Sequence, residues 1–171
     1  QTIDYLYAIC EATEMRPLIY VKKGEEKTLW DDAYNLLEDF PAWDAEALDK
    51  FKTAKVLNAW INEATEEQML ADFETPPGML LTRKRNAEWL CYALRELAFL
   101  ENQTSVYLEA RKLRRRIKHG IKEELLDITK IRGIGRARGR KLYNAGVKTV
   151  EDYMKMPKEE IKNITRQKNL Q

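Results

Sequence analysis

Apolar side chains recur at spacings of three and four residues along most of the chain, and this period limits the fold more than any other feature. The pattern begins at once with Ile3, Leu6, Tyr7 and Cys10. Residues so spaced share one face of a helix, because an α-helix turns by about 100° per residue. The apolar run at residues 18–21 is a candidate for a brief strand or for extended chain. We therefore expect an all-α fold.

Prolines, glycines and capping residues divide this pattern into separate helices. Pro41 is expected to end one helix, and Asp44 can cap the next one. Thr65 and Gln68 have the spacing of a capping box, and Gly120 is suited to end a basic helix. The expected helices cover approximately residues 29–40, 45–62, 66–73, 79–100 and 106–119.

The small net charge of +2 conceals a strong separation of charge along the chain. Residues 1–74 hold 17 acidic and 7 basic residues, a net charge of −10, whereas residues 75–171 have a net charge of +12. A chain polarised in this way has one half suited to bind a polyanion and one half that repels it.

Several classes of site and location are not supported by the composition. The two cysteines lie in apolar helical patterns and His119 is the single histidine, so we expect reduced thiols and no metal site. No nucleophile is paired with a base, so no catalytic residue is expected. No apolar run reaches the ~18 residues of a membrane span, which indicates a soluble, cytoplasmic protein without a membrane partner. The chain opens at Gln1 without a methionine, as expected for a piece of a longer protein.

Residues 128–147 have the spacing of a helix-hairpin-helix that grips a nucleic-acid backbone. Gly133 and Gly135 would form the turn, between a short apolar helix and a second helix whose first amides point at a phosphate. Contacts of this kind carry little sequence preference. A hairpin used only for packing is the alternative, but the density of cations favours binding. Four apolar residues would pack the hairpin, namely Ile131, Ile134, Leu142 and Val147. The candidate cations are Arg132, Arg136, Arg138, Arg140 and Lys141.

A second basic segment holds six cations within residues 111–118 and meets no acidic residue along the chain until Glu123. It could neutralise several phosphates, with Arg114, Arg115 and Lys118 as candidate contacts, and would make binding dependent on salt. A solvated helix face is the alternative.

A third candidate is Trp89 on the long helix, with Arg85 one turn before it and Thr82 two turns before it. An exposed tryptophan can stack on an unpaired base whatever the sequence. Periodicity alone favours packing of the ring against a neighbouring helix. The buried face of the same helix is expected to hold Leu80, Ala87, Leu90, Leu94 and Leu97.

Several blocks together resemble, in the same order, the C-terminal third of archaeal superfamily 2 DNA repair helicases, which are relatives of the helicase part of polymerase theta. The most specific blocks are residues 116–126 and the hairpin. The others are residues 49–54, 60–63, 77–78 and 87–90.

The resemblance implies a division into a helical ratchet domain, residues 1–124, and a helix-hairpin-helix domain, residues 125–171. In that family two RecA-like motor domains hydrolyse ATP with magnesium, and a winged-helix domain precedes the ratchet. The motor motifs are absent from this sequence, so the resemblance implies a chain that binds DNA and hydrolyses nothing. The parent protein would be an ATP-dependent helicase that moves 3′ to 5′ and repairs stalled replication forks.

The resemblance also assigns roles to individual residues. An aromatic residue on the long ratchet helix stacks on a base of the single strand, and it corresponds to Trp89. An arginine two turns earlier corresponds to Thr82, a departure that leaves Arg83 or Arg85 as candidates. The family's last domain holds the 3′ tail and restrains the motor, but the likeness fades beyond Tyr153.

Two other functions are compatible with the sequence. The acidic half could dock a motor domain or a single-strand-binding protein, in which case DNA binding would be incidental. The chain could also be an accessory domain of a DNA polymerase or nuclease, which would prefer duplex or junction over single strand.

Overall fold

The fold is all-α, as the apolar period predicts. The computed structural model describes residues 1–166, and within them there is no strand. The last five residues of the predicted C-terminal domain, 167–171, lie outside the described residues. No helix in the described part of the chain has the length and apolar character needed to cross a membrane. The helices are α1 (Thr2–Cys10), α2 (Glu26–Leu36), α3 (Ala47–Ile61), α4 (Glu66–Phe73), α5 (Pro77–Leu100), α6 (Thr104–His119), α7 (Arg136–Asn144), α8 (Val150–Lys155) and α9 (Lys158–Arg166).

The predicted capping signals are present at two helix ends. Thr65 accepts a hydrogen bond from the Gln68 amide, and the Gln68 side chain accepts one from the Thr65 amide, so the capping box before α4 is confirmed. Gly120 ends α6 in the left-handed conformation, with φ of +62°. Both signals act within one turn of the helix, which is why sequence reveals them.

The predicted bounds of two helices were wrong by two to four residues. Helix α2 ends at Leu36 rather than at Phe40, because Leu37 takes an extended conformation that buries its side chain. Helix α3 begins at Ala47, and Asp44 closes a turn ahead of it by accepting a hydrogen bond from the Glu46 amide at 3.0 Å.

The apolar run at residues 18–21 is extended chain rather than a strand. The amide of Ile19 donates to Thr53 Oγ1 at 2.9 Å, and the amide of Val21 donates to Asp49 Oδ1 at 2.7 Å. Side chains of α3 therefore take the place of the strand partner that these amides would otherwise need.

Helices α1, α3, α5 and α6 enclose the larger hydrophobic core, in which Leu6, Phe51, Leu57 and Ile117 have no exposed surface. A second core begins at Ile121 and joins the chain after α6 to α7 and α9. Its members are Ile121, Leu125, Ile128, Ile134, Leu142, Val147 and Ile161. The chain therefore leaves the larger core and enters the second core near Gly120. The division into two domains at residue 124 stays a prediction.

The buried face of α5 is shorter than the sequence predicts. Leu80, Ala87 and Leu90 are buried, but Leu97 is 60% exposed, so its predicted burial is wrong. The last turn of α5 carries Leu97, Phe99 and Leu100 away from the larger core. Periodicity marks a helix face, but the length of that face that is covered depends on neighbouring helices.

Candidate nucleic-acid interface

Helix α5 and helix α6, which are joined by a three-residue loop, form an open cavity of about 390 Å³ between their side chains. We call this cavity the Trp89 trough. Its lining residues are Arg85, Glu88, Trp89 and Tyr92 from α5 and Arg114 from α6. Sequence reasoning proposed Arg85 together with Trp89, and Arg114 on separate grounds, and the packing of the two helices brings Arg114 to the other two.

The Trp89 ring is 56% exposed, and Arg85 one turn earlier is also exposed. A tryptophan that served only to fill the space between helices would be largely covered. The exposed ring is instead available as a surface on which a flat ligand can stack.

Two further residues of the trough were missed by the sequence reasoning. Tyr92 lies beneath the guanidinium of Arg114, 5.0 Å from ring centroid to Cζ, and Glu88 Oε1 lies 4.0 Å from Arg114 Nε. Both lie within one helical turn of Arg85 or Trp89, so a search at spacings of three and four would have found them.

The structure separates the two candidates for the family's arginine. Arg83 is only 7% exposed, and its Nη2 donates to the Pro17 carbonyl at 2.7 Å. Burial lowers the pKa of this guanidinium from its ordinary value. Arg83 therefore supports the packing of α5 on the segment after α1, whereas Arg85 is free to face a ligand.

Much of the basic segment at residues 111–118 is engaged in contacts within the protein. Lys112 pairs with Glu109 at 3.4 Å and with Glu123 at 2.8 Å. Arg115 Nη2 donates to the Leu126 carbonyl at 2.9 Å, and Lys118 is exposed. The segment is therefore only partly a free cationic face.

The predicted glycine turn is present ahead of α7. Gly133 has φ of +86°, a conformation that side chains disfavour, and Gly135 is the extended N-cap residue. No side chain caps α7 there, so its first amides keep unused donors. As predicted, Ile134, Leu142 and Val147 are buried beneath the turn.

The short helix expected before this turn is not α-helical. The structure has two 3-10 turns instead, Glu123–Leu125 and Ile128–Lys130. Thr129 Oγ1 donates to the Leu125 carbonyl at 2.7 Å, the oxygen that the Thr129 amide would bind in an α-helix.

The five hairpin cations point in different directions. Arg132 and Arg138 are exposed near the turn, where Arg138 Nη1 donates to the Gly133 carbonyl at 3.0 Å. Lys141 Nζ lies 3.4 Å from the Thr165 carbonyl. Arg136 and Arg140 instead reach the end of α3, so they do not surround the amide cluster as the sequence suggested.

This contact with α3 is built around Trp60. Arg136 Nη2 donates to the Ala64 carbonyl at 2.6 Å, and its guanidinium lies 4.4 Å from the Trp60 ring. Trp60 Nε1 donates to the Ile117 carbonyl at 2.8 Å. Arg140 binds Glu63 from Nε at 3.0 Å, and the carboxylate raises the pKa of that guanidinium. We call this set of residues the Trp60 joint.

Gly120 belongs to the same joint. A Cβ atom at this position would lie 2.6 Å from the Trp60 ring, closer than any ordinary contact. Only glycine allows the ring to lie against the end of α6. The joint thereby fixes the hairpin against the larger helical bundle.

The acidic residues, the histidine and the two cysteines of residues 1–166 are the candidates for metal binding or nucleophilic chemistry. Within residues 1–166, no group of three His, Cys, Asp or Glu side chains is placed to hold a metal ion. Cys10 and Cys91 are buried, and burial raises the pKa of the Cys91 thiol to about 12. A buried thiol of this kind is a poor nucleophile.

Comparison with known proteins identifies the larger helical region. Residues 3–120 match the family model described as archaeal helicase, domain 4. The match covers α1 to α6 and therefore includes the whole Trp89 trough.

Curated relatives extend the similarity into the hairpin. The ATP-dependent DNA helicase Hel308 of Methanocaldococcus jannaschii is 40% identical over 157 residues, which is 92% of this chain and 13% of that protein. The Hel308 helicase of Pyrococcus horikoshii is 42% identical over 158 residues, covering 87% of this chain and 22% of that protein. The Hel308 helicase of Methanococcus vannielii is 38% identical over 154 residues, which is 88% of this chain and 20% of that protein. The chain thus spans about a fifth or less of the length of these relatives.

Proposed function

The chain belongs to the archaeal helicase domain 4 family, and from this premise we propose that it is the single-stranded DNA-binding C-terminal region of an ATP-dependent helicase. The parent protein would move 3′ to 5′ and act in the repair of stalled replication forks. ATP and magnesium would be bound by RecA-like motor domains, which together with a winged-helix domain would be this region's partners in the parent chain.

The observation that carries the proposal is the exposed Trp89 ring in a cationic trough. Arg85 and Arg114 line the same cavity as the ring, so a phosphate can be neutralised while its base stacks on the indole. Duplex DNA offers no free base faces along its length, and therefore an exposed ring of this kind favours single strands.

The glycine turn before α7 supplies a second contact on the same strand. The free amides of α7 and the exposed Arg138 and Arg132 suit a phosphate, and none of these groups reads a base edge. The Trp60 joint fixes this turn against the end of α3. The hairpin would thus hold a tail that has already passed Trp89.

A salt-titrated binding experiment tests the proposal. We expect the chain to bind a fluorescent 15-nucleotide dT strand at low salt, and to bind a hairpin duplex of equal length more weakly. The affinity should fall with rising salt, because phosphate contacts release counterions. Absence of binding at low salt, or binding that is unaffected by Trp89→Ala combined with Arg138→Ala, would contradict the proposal.

A protein-interaction module is the second candidate, and one observation favours it. Tyr34 is 62% exposed and Trp43 is 88% exposed, and both lie in the acidic half of the chain. Exposed aromatic rings are common at protein interfaces. A single-strand-binding protein or a motor domain would be the partner. Retention of such a partner by a chain without affinity for DNA would favour this candidate.

A further inference from the structure

The Trp89 trough contains an acidic side chain that the binding of a phosphate backbone does not require. Glu88 lines the cavity together with Trp89, and its side chain is 26% exposed. A carboxylate repels phosphates, so a trough built only to neutralise a backbone would be better without it. Its position suggests a task other than backbone binding.

Arg114 lies beside this carboxylate without forming a hydrogen bond to it. Glu88 Oε1 lies 4.0 Å from Arg114 Nε, too far for a hydrogen bond, so this contact leaves the acceptor positions of the carboxylate unused. Arg114 also rests on Tyr92, which holds the guanidinium in place at the wall of the trough. A carboxylate acceptor therefore lines the same cavity as an exposed stacking surface.

We propose that Glu88 reads the edge of the base that stacks on Trp89 and makes the trough prefer guanine. This inference rests on the proposed binding of single-stranded DNA in the trough. Guanine presents two adjacent donors on its Watson–Crick edge, N1–H and the N2 amino group, which match the two oxygens of one carboxylate. Charge-assisted, two-pronged hydrogen bonds of this type are among the strongest in proteins.

The other bases fit a carboxylate less well. Adenine and cytosine each offer one amino group beside a ring nitrogen that is an acceptor, so the second oxygen would face a lone pair. Thymine places carbonyl oxygens on both sides of its single N–H, and both would repel the carboxylate. The expected order of affinity is guanine, then adenine or cytosine, then thymine.

The volume of the trough is compatible with a single nucleotide. Its 390 Å³ lies within the range of about 300–1,000 Å³ that small-molecule sites occupy. A base stacked on Trp89 with its phosphate bound by Arg85 would lie in the cavity that Glu88 also lines. The rest of the strand would be bound without regard to sequence.

The test varies one base in an otherwise uniform strand. The full chain is titrated into fluorescent 15-nucleotide dT strands whose central base is thymine, guanine or hypoxanthine, which is guanine without its N2 amino group. We expect the guanine strand to bind at least about fivefold more tightly than the thymine strand, with hypoxanthine between them. Guanine and thymine strands of equal affinity would overturn the inference while leaving the proposed function intact, whereas no binding of any strand would overturn the proposed function.

Variants of the chain assign the preference to one side chain. In Glu88→Gln the ratio of the two affinities should fall to about one, and Glu88→Asp should give an intermediate ratio. The matched control is Glu101→Gln, which removes the same charge at the exposed end of α5. Its ratio of guanine-strand to thymine-strand affinity should equal that of the unaltered chain. A guanine preference that persists in folded Glu88→Gln protein would show that another group reads the base and would overturn the assignment.

Discussion

The arginines of the Trp89 trough and those of the hairpin have different surroundings. In the trough, Arg85 is exposed and Arg114 rests on the ring of Tyr92. In the hairpin, Arg136 and Arg140 bind the end of α3 instead of facing the glycine turn. The same residue type is therefore available to the proposed ligand in one region and joins two parts of the protein in the other. The cause is the surroundings of each guanidinium. The Trp60 ring and the carbonyl groups of Trp60 and Ala64 lie within reach of Arg136, whereas Arg85 is exposed.

This difference shows how a count of cations misjudges a binding surface. Five cations near the glycine turn suggested a strong phosphate grip, but two of them are used in the Trp60 joint. The trough has fewer cations, and its exposed aromatic ring gives it a second means of binding. We therefore expect the trough to contribute more to affinity than the hairpin does.

The largest effect is expected from breaking the joint that connects the two regions. Gly120→Ala should lower the free energy of unfolding by about 2–5 kcal/mol, because the new Cβ meets the Trp60 ring and alanine is strained at a positive φ. Urea denaturation measures the change. Gly24→Ala is the control, since Gly24 also has a positive φ but has no neighbour within 4 Å of an added Cβ. Equal losses in the two variants would mean that the Trp60 ring moves aside without cost.

The next effect concerns the trough itself. Trp89→Ala should weaken the binding of single-stranded DNA by about 1–3 kcal/mol, because one base loses its stacking surface. Fluorescence anisotropy with a dT strand measures the loss. Trp43→Ala removes an indole that is 88% exposed in the acidic half of the chain, and its affinity should match that of the unaltered protein. If both variants bind alike, the trough is not the strand site.

Two arginines of the hairpin should differ in their contribution to the free energy of unfolding. Arg136→Ala should lower the free energy of unfolding by about 1–3 kcal/mol, because the carbonyl groups of Trp60 and Ala64 lose a charged donor. Arg138→Ala should leave stability nearly unchanged, since this side chain is exposed. Thermal and urea unfolding of both variants measure the difference. An unchanged stability of Arg136→Ala would contradict the role of this residue in the joint.

The contribution of the glycine turn should appear in the salt dependence of binding. Arg138→Ala should reduce the slope of log affinity against log salt concentration by about 0.7, the value for one phosphate contact on a single strand. Lys155→Ala removes an exposed cation that pairs with Glu151 on α8 and serves as the control. If the salt dependence of binding is unchanged in Arg138→Ala, the hairpin does not contact the strand through this residue.

The smallest effect is a dependence of stability on pH at the end of α6, the helix that the two regions share. Burial, with smaller contributions from Lys118 and Arg115, lowers the pKa of His119 below its ordinary value of 6.5. The folded state thus favours neutral His119. The contribution of this residue to the free energy of unfolding is complete above about pH 6.5 and is lost as pH falls through the lowered pKa. We expect the free energy of unfolding to fall by less than about 1 kcal/mol between pH 7.5 and 5.5. This decrease should be absent in His119→Gln. Equal pH profiles for the two proteins would contradict this assignment.

Local features of the fold could be predicted from sequence with good accuracy. The capping box at Thr65 and Gln68 and the helix stop at Gly120 are both present. Each depends on side chains within a few residues of one another, so the chain around them carries the whole signal. The helix bounds were wrong at Leu37 and Asp44, where burial of a side chain or a local turn competes with helix formation.

The candidate site was only partly predictable. Trp89 and Arg85 lie on one helix and share a flank at a fixed spacing, so the sequence places them together. The presence of Arg114 in the same cavity depends on how α6 packs against α5, and no spacing within one helix reveals it. The placement of Arg83 in the protein interior was missed for the same reason, since its partner is the Pro17 carbonyl.

The sequence by itself determined the all-α class, the glycine turn, the separation of charge and the helix that carries Trp89. Only the tertiary structure decided which cations face solvent and which join the two regions, because a long guanidinium side chain binds whatever acceptors its neighbours present. It also decided that Glu88 and Arg114 share a cavity with an exposed ring. Helical period and capping are short-range effects, whereas the direction of a charged side chain depends on residues distant in the chain.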